Sequence, residues 1–208
     1  MGASGKKKIG VDFDNTIINY DAVFLAAAKR LGLVAPGFGG GKEQVRDVIR
    51  ELPDGEHAWQ RLQGHVYGTA IMDAVMFDGV EAFLRGCRAK GYPVSIVSHK
   101  TSYGQFDATR VNLRQAALDW MTAHGFFQAA GIGLPADAVA FEATRADKLA
   151  RIAALGCTHF IDDLPEVLDD PAFPPGVEKF LFTNGARRLA TRPDAYAHWR
   201  DIAAVVLA

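Results

Sequence analysis

Short apolar runs that stop at polar residues alternate, along most of this chain, with longer stretches of helical period, as expected for strands followed by helices. Ile9–Val11 reads as the end of a short buried strand that halts at Asp12. From Asp21 the period turns helical, with Val23, Phe24, Ala27, Leu31 and Leu33 on one side and an end near Gly32. Residues 36–41, Pro-Gly-Phe-Gly-Gly-Gly, form a flexible connector. A second helix is expected over 42–52, with Val45, Val48, Ile49 and Leu52 on its apolar side, before Pro53-Asp54-Gly55 break it. A third is expected over about 56–72 and carries Trp59, Leu62, Val66, Tyr67 and Ile71.

After residue 76 the alternation returns. The pattern predicts a helix over 81–90 closed by Gly91, a buried strand over 92–98, and an amphipathic helix over 110–124 with Val111, Leu113, Ala117, Leu118 and Met121 inward. A short strand over 138–141, a helix over 147–155 capped by Gly156, and a strand over 158–161 follow. That strand runs into Asp162-Asp163; a further strand lies over 179–182 and a docking helix over 196–207. Strand–helix alternation of this kind predicts an α/β fold, a Rossmann-like parallel sheet with helices on both faces. Residues 19–76 read as helices alone, so the expected division is a core of 1–18 and 77–208 with a helical insertion over 19–76.

Composition narrows the classes. The 208 residues are 49% hydrophobic, enough for a sizeable core, with a net charge of −1. A pI of 6.6 and a mean hydropathy of +0.02 leave no global basic field, so a nucleic-acid partner is not expected. Cys87 and Cys157 are the only cysteines and form no C-x-x-C, which argues against zinc and against a disulfide framework. No apolar stretch approaches a membrane span, the start lacks the apolar segment of a signal peptide, and position six is not the Ser or Thr of a myristoylation signal. The expectation is a cytoplasmic protein with no membrane partner, a monomer or homodimer. The glycine run is not a phosphate loop: Glu43 follows Lys42 where Lys-Ser or Lys-Thr is required.

The chemistry gathers where strands should end. Asp12 and Asp14 are two apart, so on extended backbone they point the same way. Burying two like charges together is costly unless a cation joins them. In an open α/β sheet the ligand crevice lies beyond the carboxyl ends of the strands. Ser98 ends the second strand, Lys148 stands on the helix before the strand over 158–161, and Asp162-Asp163 end that strand. Each has a plainer reading alone: an Asx-rich turn, a turn serine, a solvated helix face with Arg145 as rival cation, and a helix N-cap before Glu166. His99 and Lys100 share Ser98's strand end, in reach of a substrate or in a solvated loop.

The ordered set Asp12-Phe13-Asp14-Asn15-Thr16, Ser98, Lys148 and Asp162-Asp163 resembles the four motifs of the haloacid dehalogenase-like hydrolase superfamily, most of whose members are magnesium-dependent phosphatases. The resemblance covers about 150 residues of core and leaves the helical insertion where that superfamily places a cap. It implies that Asp12 attacks phosphorus, that Asp14 protonates the leaving alcohol and later deprotonates water, and that Ser98 and Lys148 hold and neutralise the phosphoryl group. It implies Mg2+ on the Asp12 carboxylate, the Asp14 carbonyl and a carboxylate of the late pair. Asp163 aligns with the direct ligand, and Asp162 then stands behind it, holding water or Lys148. Thr16, Asn15 and nearby amides would complete an anion nest, with His99 and Lys100 as further substrate contacts. The implied substrate is a small phosphate monoester of nucleotide or sugar phosphate type. Phosphotransfer or phosphomutase chemistry on the same aspartate, and a non-catalytic member that only binds a phosphorylated ligand, are the alternatives.

Overall fold

The structure is a computed structural model, and it describes residues 6–106, 108–185 and 191–208. In chain order the elements begin with β1 (Ile9–Val11), β2 (Ile18–Asn19), α1 (Asp21–Arg30), α2 (Lys42–Arg50) and α3 (Gly55–Tyr67). Then come β3 (Val75–Met76), α4 (Val80–Ala89), β4 (Val94–His99) and α5 (Leu113–Ala123). The last third holds β5 (Val139–Glu142), α6 (Arg145–Ala154), β6 (His159–Asp162), α7 (Pro165–Leu168), β7 (Glu178–Phe182), β8 (Ala195–Tyr196) and α8 (Trp199–Val206). The chain forms two compact units.

The first unit contains Met1–Ile17, Met76–His99 and Gly125–Ala208. Its sheet has six strands in the order β5-β4-β1-β6-β7-β8, every pair parallel. This is the Rossmann-like α/β core expected from the sequence. β1 is central and fully buried, so it reads as an unbroken apolar run rather than an alternation. The chain leaves β1 for β4 and β5 on one side, then returns to its other side for β6. The strand order therefore reverses at β1, and the crevice of such a sheet opens at the carboxyl end of that strand. Val11 is level with Ile96 of β4 and Ile161 of β6, which puts Asp12, Ser98 and Asp162 at neighbouring strand ends. Gly10 is required for this closeness: a Cβ there would overlap the Phe160 ring of β6. Behind the strand ends, Val97, Leu149, Ile152, Phe160, Leu168 and Leu181 form the packed core.

The second unit contains Ile18–Val75 and Lys100–His124. Phe24, buried on α1, stacks on Trp59 of α3 with ring centroids 5.0 Å apart, and α2 adds Val45 and Ile49. β2 pairs with β3 as a two-stranded ribbon. The sequence reading put residues 110–124 with the core; α5 instead packs in this unit. Its reason is physical: Trp120 is fully buried and its indole N–H donates to the Ala74 carbonyl at 2.9 Å. Asn112 caps α5, its side chain accepting from the amides of Arg114 and Gln115. β2, β3 and β8 are two residues each, too short for a period to show in sequence.

Candidate active site

Asp12 stands one residue beyond β1 and is 4% exposed. Its amide donates to the Ile161 carbonyl at 2.9 Å, so it still follows the register of β6 although β1 has ended. The turn after it needs a left-handed residue, and Asn15 supplies it with φ of +60°, a conformation that asparagine accepts better than most side chains. That turn brings Thr16 back into the interior, fully buried. Its hydroxyl donates to Asp163 Oδ1 at 3.3 Å, and its carbonyl accepts the indole N–H of Trp199 at 3.0 Å. Asp14 is half-buried beside this turn.

Two side chains converge on one oxygen of Asp12. Ser98, buried near the end of β4, donates its hydroxyl to Asp12 Oδ1 at 3.0 Å. Lys148 reaches the same oxygen at 2.7 Å and Asp162 Oδ2 at 2.6 Å, with 1% of its surface exposed. It gets there because Thr144 caps α6, accepting from the Asp147 amide at 3.1 Å and setting the first turn over the strand ends. Burial alone pulls the Lys148 ammonium toward neutrality; Asp12 and Asp162 outweigh it and hold its pKa above the ordinary lysine value. Lys148 is therefore a cation throughout the physiological range. Arg145, its rival in sequence, pairs instead with Asp170 at 3.2 Å and is half exposed.

Asp162 is wholly buried. Desolvation pushes its carboxyl above the usual aspartate range; Lys148 pulls it down, Asp12 pushes it up again, and the net direction is up. Its Oδ1 accepts the Leu164 amide at 3.0 Å, while Lys148 takes Oδ2. The expected N-cap role is not seen: α7 starts at Pro165 with no side-chain cap, and Asp162 closes an Asx turn instead. Asp163 is half-buried and bonded to Thr16.

Carboxylate oxygens of Asp12, Asp162 and Asp163 lie within 4.8 Å of one another. Three carboxylates and one ammonium leave two negative charges, and hard oxygen donors at this spacing suit a divalent cation such as Mg2+. The Asp14 carboxylate lies outside that cluster. Both Asp162 oxygens serve protein donors, while Asp163 Oδ1 accepts from Thr16.

The remaining expected residues divide between the units. His99 Nε2 lies 2.9 Å from the Ala143 carbonyl, beyond the end of β5. Lys100 belongs to the second unit, is 4% exposed, and holds its ammonium 5.0 Å from the Tyr67 ring centroid. A solvated loop does not describe Lys100. The residue that sequence reasoning missed is Trp199, which ties the Asp12–Thr16 turn to α8. A buried tryptophan starting a terminal helix was its only signal.

No protein-family model matches the sequence, and no curated protein matches it. Solved structures do. A haloacid dehalogenase-like hydrolase from Streptococcus pneumoniae superposes with a TM-score of 0.59 at 17% identity, covering 98% of this chain and 99% of that one. A predicted phosphoglycolate phosphatase from Haemophilus somnus gives 0.55 at 18%, covering 98% and 99%. An L-2-haloacid dehalogenase gives 0.57 at 17%, covering 99% and 100%. The chain has the fold of the haloacid dehalogenase-like hydrolases.

Proposed function

We propose that the chain is a haloacid dehalogenase-like hydrolase, a Mg2+-dependent phosphatase that cleaves a small phosphate monoester through an aspartyl-phosphate on Asp12. The observation that carries this reading is the pairing of Lys148 with both Asp12 and Asp162 beside a third carboxylate. A phosphate monoester is anionic, and a carboxylate approaches it only where cations surround both. Lys148 supplies one such charge. Asp12, Asp163 and the Asp14 backbone would hold Mg2+, which supplies further charge neutralisation of the phosphoryl oxygens.

Asp12 is suited to attack. Ser98 and Lys148 both bond Oδ1, which orients the carboxylate for attack. Attack forms the Asp12–phosphorus bond and breaks the bond to the leaving oxygen, which Asp14 protonates. Asp14 then takes a proton from water as the water displaces Asp12, releasing inorganic phosphate and restoring the carboxylate. Displacement of halide from carbon needs neither an acid for the leaving group nor charge neutralisation around a dianion. Asp14 and the carboxylate cluster therefore support phosphate over halide.

The test is phosphate release from a panel of phosphorylated metabolites with Mg2+, beside chloride release from L-2-chloropropionate. Phosphate release that Asp12→Asn abolishes, with beryllium fluoride trapped on Asp12 in the unaltered protein, supports the proposal. Chloride release without phosphate release overturns it.

A further inference from the structure

α6 carries two cations near its start, and Lys148 is the one that enters the site. Arg145 is half exposed, yet it reaches the segment that leaves β6. Its Nε lies 3.2 Å from Asp170 Oδ2, and its Nη1 donates to the Glu166 carbonyl at 3.5 Å. Asp170 is set to receive it, because Asp170 Oδ1 accepts the Ala172 amide at 2.9 Å and so fixes the carboxylate. Two side chains of α6 therefore grip one segment at both ends, Lys148 at Asp162 and Arg145 at Glu166 and Asp170.

The stretch between those grips is weakly defined by its own structure. Residues 163–166 are half-buried or exposed, while Val167 and Leu168 are buried in the core. α7 is a single turn with Pro165 at its start and no side-chain cap, too short to hold its own orientation. Its far end is secured separately: Arg192 forks onto Asp169 at 2.6 and 2.9 Å and reaches Asp194 at 2.9 Å. A half-exposed ion pair adds little to global folding. The same pair matters more to a surface segment, whose local openings cost far less than unfolding the core.

We infer that Arg145 and Asp170 are a positioning pair for the Asp162-Asp163 strand end, locking the segment that carries both aspartates onto the helix that carries Lys148. Neither residue touches the reacting atoms in this role; each acts through the placement of the two aspartates. The metal readout of this inference rests on the Mg2+ site proposed above, and the restraint itself is measured without it.

The experiment is calorimetric titration of the full chain with MgCl2, beside amide hydrogen exchange without Mg2+, on Arg145→Gln, Asp170→Asn and the double variant. Asparagine keeps the acceptor for the Ala172 amide, so Asp170→Asn removes the charge alone. Arg151→Gln is the control: Arg151 stands on the same helix and is about as exposed, but pairs at 2.6 Å with Glu142 of β5. Each single variant should weaken Mg2+ binding roughly threefold to fivefold and speed exchange of the Leu164 and Val167 amides by a similar factor. The double variant should lose no more than either single one, and the control should match the unaltered chain. The inference is overturned if Arg145→Gln or Asp170→Asn leaves Mg2+ affinity or the exchange unchanged. It is equally overturned if the two losses multiply in the double variant, or if Arg151→Gln loses as much, which a general loosening of α6 would give. If the unaltered chain takes up no Mg2+, the proposed function fails, and the exchange at Leu164 and Val167 alone upholds or overturns the restraint.

Discussion

Lys148→Met isolates the charge at the centre of the site. Methionine keeps most of the aliphatic stem and removes the ammonium, which lies 2.7 Å from Asp12 and 2.6 Å from Asp162 with 1% of its surface exposed. Removing one member of a buried ion pair costs about 3–5 kcal/mol, because the partner charge is left without compensation. Two carboxylates are left here, so the upper part of that range is expected near neutral pH. For a chain of 208 residues this amounts to a fall in melting temperature of roughly 8–20 °C. The pH dependence has a definite sign. Burial already raises the folded-state pKa of Asp162, and removing Lys148 takes away the main group pulling it down. A carboxyl raised in the folded state contributes stability below its unfolded pKa and loses it as pH rises through the folded one. The deficit of the variant should therefore shrink between about pH 7 and about pH 5, as Asp162 takes up a proton. Urea unfolding followed by circular dichroism at both pH values measures it. A deficit under about 1 kcal/mol near pH 7 would refute the reasoning, since exposed pairs are worth no more than that. So would a deficit that widens in acid.

Other perturbations separate the remaining roles. Asp163→Ala should weaken Mg2+ affinity by at least tenfold more than Asp162→Ala, read by calorimetric titration; the reverse order would make Asp162 the direct ligand. Trp199→Phe removes the N–H that fixes the Thr16 carbonyl and should cost about 1–3 kcal/mol in unfolding experiments, with a lower kcat as the Asp12–Thr16 turn loosens. A normal kcat in a destabilised variant would leave Trp199 a packing residue only. At His159, burial lowers the pKa below the ordinary 6.5 and Lys7 adds to this, while Glu178 opposes it. Its stabilising contribution is complete above that value and is lost as pH falls below it, toward the lowered folded pKa. His159→Gln should flatten melting temperature against pH in that window, and an unchanged slope would exclude the histidine.

What could be read in the sequence was whatever depends on near neighbours. Ile9–Val11 had to be a strand because apolar residues run straight into Asp12, and a buried strand cannot continue through a charge without a partner. The same reasoning located Ser98 and Asp162-Asp163 at strand ends, and it yielded the parallel sheet. The choice between Lys148 and Arg145 was harder, since both lie in the first turn of one helix. Only the cap at Thr144 and the position of β6 decide which faces inward. The extent of the second unit was not legible, because the amphipathic pattern of α5 specifies that one side is buried without saying against what.

The site itself is built from distant pairs. Ser98 and Asp12 are 86 residues apart, Lys148 and Asp12 are 136, Thr16 and Asp163 are 147, and Trp199 and Thr16 are 183. No periodicity links such residues; the sheet order does, by returning the chain to both sides of β1. That is why the roles within Asp162-Asp163 become arguable only in the structure. Adjacent residues at a strand end leave on different sides, so one aspartate turns into the interior to meet Lys148 and the Leu164 amide. The other, half-buried, turns toward Thr16. The pair is then not redundant: Asp162 holds the ammonium against Asp12, and that placement orients the carboxylate assigned to attack. Asp163 can serve a cation without disturbing it.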